Sequence, residues 1–157
     1  MEKKTDKTNV MRLLDAKKIA YEAFEYDASL TDGAAVAETL GQDPRSVFKT
    51  LVTVSDKGAN FVFCVPVCAT LDLKKAAKAA GVKSVAMLHP RDLEPLTGYV
   101  HGGCSPIGMK KRFPTFVDES ALGQDKLCVS AGRRGRQVRL SPADLAAFAG
   151  AKFAPLI

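Results

Sequence analysis

Tryptophan is absent from this chain of 157 residues, aromatic side chains make up only 7% of it, and histidine occurs twice. So few flat rings argue against a broad base-stacking platform, and contacts with a nucleic acid would fall mainly on phosphates. Paired cysteines are lacking as well. Cys64, Cys68, Cys104 and Cys128 are scattered without a CxxC, mostly among apolar neighbours, and read as reduced, buried thiols. With His89 and His101 they show no ligand spacing, so no metal site is expected. The longest apolar run, Phe61 to Val67, falls far short of a membrane span and carries Pro66, while the N-terminus opens with charges where a signal peptide needs an apolar core. The reading is a cytoplasmic protein with no membrane partner.

Positive charge is in excess. Lys and Arg number 23 against 17 Asp and Glu, giving a formal net charge of +6 and a pI of about 9.2. The imbalance favours an anionic partner such as nucleic acid. A hydrophobic content of 46% is enough for one core, and a single domain over 1–157 is expected.

Patterning alternates between helical and extended periods. Val10, Leu13 and Leu14 mark a short amphipathic helix that Thr8 or Asn9 can cap, and Tyr21 to Tyr26 reads as a strand. A polar stretch from Asp27 to Asp32 precedes a helix that Gly41 stops, and Asp43-Pro44 restarts the chain. Val47 to Ser55 is the most strand-like segment, and the turn at Ser55 to Gly58 leads to a second strand ending at Val67. From Leu71 to Ala80 the spacing predicts a helix with Leu73, Ala76, Ala77 and Ala80 inward and Lys74, Lys75 and Lys78 outward. Val82 to Met87 reads as a strand and Pro90 to Leu96 as a helix. Strands at Thr115 to Asp118, Lys126 to Ser130 and Gln137 to Leu140 precede a last helix that opens at Ser141-Pro142 and closes at Gly150. Interleaved helices and hairpin turns imply a mixed sheet.

Two features break the pattern. Lys49 lies in a strand whose faces, Val47, Leu51 and Thr53 on one side and Phe48, Thr50, Val52 and Val54 on the other, are both largely apolar. An ammonium in that position either reaches solvent along its stem or faces a cavity with an anionic partner. The stretch from Gly98 to Gly108 packs four glycines and Pro106 between regular segments, which suits a turn or a loop that brings bare amides up to a ligand. It has neither the P-loop nor the dinucleotide spacing. Ser105 lacks a Gly-x-Ser-x-Gly elbow and an evident His and Asp pair, so it is no triad nucleophile even with His101 nearby. Cys104 reads as a loop-filling thiol, while Ser130 and Tyr26 end strands, where a hydroxyl serves a ligand or a turn equally well.

Taken together, Phe48-Lys49-Thr50-Leu51, Leu73-Lys74-Lys75-Ala76-Ala77, Gly98-Tyr99 with Gly102-Gly103-Cys104-Ser105-Pro106-Ile107-Gly108, and Val129-Ser130 with Gly132-Arg133-Arg134-Gly135 resemble the YbaK family. These are aminoacyl-tRNA deacylases related to the editing domain of prolyl-tRNA synthetase. The resemblance runs from about Val10 to the C-terminal helix. It implies an α+β fold, a mixed barrel-like sheet flanked by helices, with no cofactor. It further implies that Lys49 is the essential lysine and that Gly102, Gly103, Ser105, Pro106 and Gly108 form the substrate loop. Ser130, Thr50 and, more loosely, Tyr26 complete the set, and Cys104 falls where the family varies. The nearest branch clears Cys-tRNA(Pro). Ala-tRNA(Pro) or another mischarged tRNA, or a non-catalytic tRNA-binding module, are the alternatives, and docking on prolyl-tRNA synthetase is left open. The triplet Lys110, Lys111 and Arg112 would then guide the acceptor stem through its phosphates. Neutralising all three is expected to weaken tRNA binding and flatten its salt dependence; an unchanged slope would count against that role.

Overall fold

A computed structural model describes residues 6–157. Helix α1 (Asn9–Ala16) starts where the Thr8 hydroxyl accepts from the Met11 amide, and it buries Val10, Met11 and Leu14. Strand β1 (Glu22–Glu25) and helix α2 (Gly33–Thr39) follow, and Asp43-Pro44 opens a single 3-10 turn. The central pair is β2 (Phe48–Ser55) and β3 (Asn60–Pro66), an antiparallel hairpin with Lys49 opposite Val65. Beyond it lie α3 (Leu73–Ala80), β4 (Val85–Met87), α4 (Pro90–Thr97), β5 (Thr115–Asp118), β6 (Leu127–Ser130), β7 (Arg136–Leu140), α5 (Pro142–Ala149) and β8 (Lys152–Ala154).

The strands form two sheets: a mixed one in the order β4-β2-β3-β5-β8, with parallel β3-β5 and β5-β8 pairs, and an antiparallel one in the order β1-β7-β6. A parallel bridge from Val47 to Cys128 joins them. This is the mixed, helix-flanked α+β architecture, and the continuity expected of a barrel-like sheet rests on that bridge. Both faces of β2 are covered, as its alternation required. Phe48 and Val52, with Val62 and Cys64 of β3, belong to the core shared with α1, β6 and β7. Leu51, with Phe63 and Val65, packs on the other side with Leu71, Ala76 and Ala77.

Several boundaries and one orientation differ from expectation. Leu73 does not point inward and is 41% exposed. Its place is taken by Leu71, which lies just before the Asp72 cap and packs beneath Ala76 one turn later, in the manner of a hydrophobic staple. The strand expected from Val82 is confined to Val85–Met87. Strand β8 had no signal of its own. It follows the Gly150 cap and pairs with β5, and beyond it the Leu156 amide is held by the buried carboxylate of Asp118 at 2.9 Å.

The loop between α4 and β5 packs directly on the turn between β6 and β7. Arg134 Nε donates to the His101 carbonyl at 2.7 Å, and a Cβ added to Gly103 would lie 2.9 Å from the Arg134 backbone nitrogen. Since neither backbone can yield cheaply, Gly103→Ala is expected to destabilise the fold by about 1–3 kcal/mol. A lowered urea midpoint with an unchanged slope would be the signature.

Candidate active site

The gap between the two sheets places the site. Along one edge of β2, Val47 is taken by β6 and Thr53 to Ser55 by β4. Between them Phe48 to Leu51 pair with no strand on that side among the described residues, although β6 runs nearby. A cavity of about 480 Å³ opens there, lined by Lys49, Thr50, Tyr26, Ser130, Gly102 and Cys104 among others. Its size falls within the ordinary range of small-molecule sites, about 300–1,000 Å³.

Lys49 is half-buried, and among the described residues its ammonium has no hydrogen-bond or carboxylate partner. A cation placed so, with its stem against apolar walls and its head in a cavity, is available to an anion or a carbonyl dipole. Apolar wall is supplied by Val36, Val47, Val67, Leu93 and Val129. Gly33 contributes by lacking a side chain, since a Cβ there would run into Val67.

The glycine loop divides. Gly102, at φ 84°, turns the chain into the cavity, and neither its amide nor that of Cys104 has a protein acceptor among the described residues. The Gly103 amide is spent on the Val100 carbonyl at 3.0 Å, and the Ser105 hydroxyl, fully buried, accepts from the Ile107 amide at 3.2 Å. Pro106 and Gly108 line a different cavity, together with Lys111 and Arg112. Lys110 lies against Gly98 on the far side of the loop. Tyr99 braces the loop from within by donating to the Ile107 carbonyl, and a Cβ on Gly108 would meet its hydroxyl.

Of the residues singled out in the sequence, Lys49, Thr50, Tyr26, Gly102 and Ser130 thus share one cavity, whereas Gly103, Ser105, Pro106, Gly108, Lys110, Lys111 and Arg112 lie outside its lining. Ser130 Oγ accepts from the Gly132 amide at 3.2 Å, which orients the hydroxyl and leaves its proton free to be donated. Burial raises the Tyr26 phenol above its ordinary value, so it stays a neutral donor, with a partial offset from the Gly135 backbone. Burial also pushes the Cys104 thiol up to about 12, reinforced by nearby Cys64, and a protonated thiol is a poor nucleophile.

Reasoning from the sequence missed Asp32, Thr31 and Gln137, which also line the cavity. Asp32 caps α2 without a side-chain hydrogen bond, and Gln137 Oε1 accepts from Gln42 at 2.7 Å. The polar run before α2 hinted at the first two, but Gln137 enters only through the β7 pairing. Among the described residues, no group of three or more His, Cys, Asp or Glu side chains is placed to hold a metal ion. No helix there is long and apolar enough to cross a membrane.

Residues 27–148 match the model of the aminoacyl-tRNA editing domain, and the chain belongs to that family. It is 47% identical over 157 residues to EbsC of Enterococcus faecalis, a proposed Cys-tRNA(Pro)/Cys-tRNA(Cys) deacylase, covering 98% of this chain and 96% of that protein. A crystal structure of a proposed trans-editing enzyme for prolyl-tRNA synthetase superposes with a TM-score of 0.83 at 28% identity, covering 97% of this chain and 98% of that one. Hypothetical protein APE2540 shares the fold, with a TM-score of 0.86 at 23% identity over 94% of this chain and 97% of that one. Membership places the protein among the domains that edit mischarged tRNA.

The buried thiols also set a pH response. Cys64 and Cys104 are pushed up to about 12 and Cys128 up to about 11, in each case chiefly by burial. In the unfolded chain a thiol ionises near about 8.5. Above that pH the unfolded state releases protons that the folded state retains, so stability falls as pH rises toward the folded values. The urea midpoint is expected to decline steadily from pH 8 to pH 11, and a flat profile would contradict this burial.

Proposed function

We propose that this chain, as a single domain over 1–157, is a free-standing deacylase that removes cysteine from mischarged tRNA(Pro). The observation carrying the reading is the unpartnered Lys49 ammonium on β2, held in one cavity with the open amides of Gly102 and Cys104 and the hydroxyl of Ser130. The name of the Enterococcus relative supports cysteine as the amino acid.

An aminoacyl ester is already activated, so the protein mainly has to hold it in attack geometry, which alone can contribute up to about 7–11 kcal/mol. With a cysteinyl group the substrate supplies its own nucleophile. Its sulfur adds to the ester carbonyl carbon, and the negative charge that develops on the carbonyl oxygen is met by the Gly102 and Cys104 amides. Collapse breaks the bond to the ribose oxygen, which takes the thiol proton and leaves as the tRNA hydroxyl, while the amino acid departs as a cyclic thiolactone. Lys49 supplies fixed positive charge beside the carbonyl or the terminal phosphate. Thr50, Tyr26 and Ser130 hold the ribose and the amino acid by hydrogen bonds, and Asp32 is the carboxylate of the wall suited to the α-ammonium of the ester.

Replacing the ammonium removes a charge that acts most strongly in the transition state. Lys49→Ala is expected to cut the rate of Cys-tRNA(Pro) deacylation by about 100-fold or more, with the fold intact. Wild-type rates in that variant would overturn the assignment. A panel of Cys-tRNA(Pro), Ala-tRNA(Pro) and Cys-tRNA(Cys), with and without prolyl-tRNA synthetase, identifies the preferred substrate and any need for the synthetase. Deacylation of none of them would leave a tRNA-binding module.

A further inference from the structure

A second cavity, of about 590 Å³, lies on the other side of the glycine loop, between the end of α1, the stretch 106–115 and the end of α5. Its lining has a composition unlike the first. Ile19, Met109, Phe113 and Phe148 give it apolar and aromatic wall, Lys17, Lys111 and Arg112 give it charge, and no carboxylate contributes to it.

The three cations are not equivalent. Arg112 is committed to the fold, since its Nη2 donates to the Phe148 carbonyl at 2.8 Å and so covers the carbonyl end of α5, which would otherwise repel an anion. Lys17 and Lys111 are exposed, and among the described residues neither has a carboxylate partner. Nearby Asp15 is taken by Lys7 at 2.6 Å. The hollow therefore offers two free ammonium groups beside aromatic wall. That combination matches a group with one flat apolar part and one anionic part.

The loop also fixes where this hollow lies relative to the first. Cys104 lines the cavity of Lys49 and Pro106 lines this one, two residues along the chain with buried Ser105 between them, so the loop is the partition the two cavities share. A single-stranded segment whose terminal ester sits by Lys49 would reach this hollow by running over the exposed edge of the loop, at Val100, His101 and Gly108. We propose that the second cavity is a subsite for a nucleotide of the unpaired 3′ end of the tRNA, its base against Phe113 and Phe148 and its phosphate on Lys17 and Lys111. The inference rests on the editing function proposed above.

The test uses uncharged RNA and so is separate from deacylation. The probes are an acceptor-stem hairpin carrying a four-nucleotide single-stranded 3′ tail and the same hairpin trimmed blunt. The wild-type protein is expected to prefer the tailed form. In the variant Lys17→Ala, affinity for the tailed form should fall about five- to tenfold, its salt slope should flatten by about 0.7, and binding to the blunt form should change little. Phe113→Leu, which keeps the volume apolar but removes the ring, should lose part of the same preference. Equal losses on both hairpins would mean general surface attraction and overturn the proposal, as would unchanged binding or no preference in the wild type. Deacylation surviving any of these results would leave the editing function standing without the subsite.

Discussion

Everything around the site depends on the interrupted edge of β2. β2 is covered at both ends but only half-buried at Lys49, Thr50 and Leu51, and one of its edges is shared between different neighbours, Val47 just before it bridging to β6 and Thr53 to Ser55 pairing with β4. The middle makes no ladder on that side, which a sheet ordinarily avoids. Lys49 sits in that interval. An ammonium fully enclosed there without a partner would cost several kcal/mol, and the opening between the sheets is what keeps the cost tolerable. The same opening lets a substrate reach it.

The opposite wall is held by interlocking backbone, braced by the side chains of Arg134, Tyr99 and Ser105. Contact between the loop carrying Gly102 and Gly103 and the turn carrying Arg133 and Arg134 is close enough that one methyl group would separate them. Tyr99 and Ser105, both buried, satisfy the amide and carbonyl of Ile107 from inside the loop. The amides of Gly102 and Cys104, which take no part in this bracing, belong to residues that line the cavity. Rigidity and availability are therefore divided between neighbouring peptide groups of one short segment.

Much of this was legible in the chain because the signals were local. Caps at Thr8 and Ser141, the glycine that closes α5, and the alternation along β2 and β3 are set by neighbouring residues, and they mark most elements to within a residue or two. Lys49 stood out because a charge in an apolar strand contradicts its surroundings. What escaped was tertiary. Leu73 was displaced by a staple residue outside the helix, β8 exists only because β5 offers an edge, and Gln137 and Asp32 come to the cavity from strands and turns distant in sequence. Nor did the glycine pattern reveal that the loop has two sides, with Gly102 on one cavity and Pro106 and Gly108 on another.

Cys104 gives the site a further property. A thiolate in the wall would be a ready nucleophile toward an ester bound beside it. Burial pushes this thiol up to about 12, so it stays protonated through the physiological range and is a poor nucleophile. Kept as a thiol, it lines the pocket as a small apolar group and leaves the ester to the groups around it.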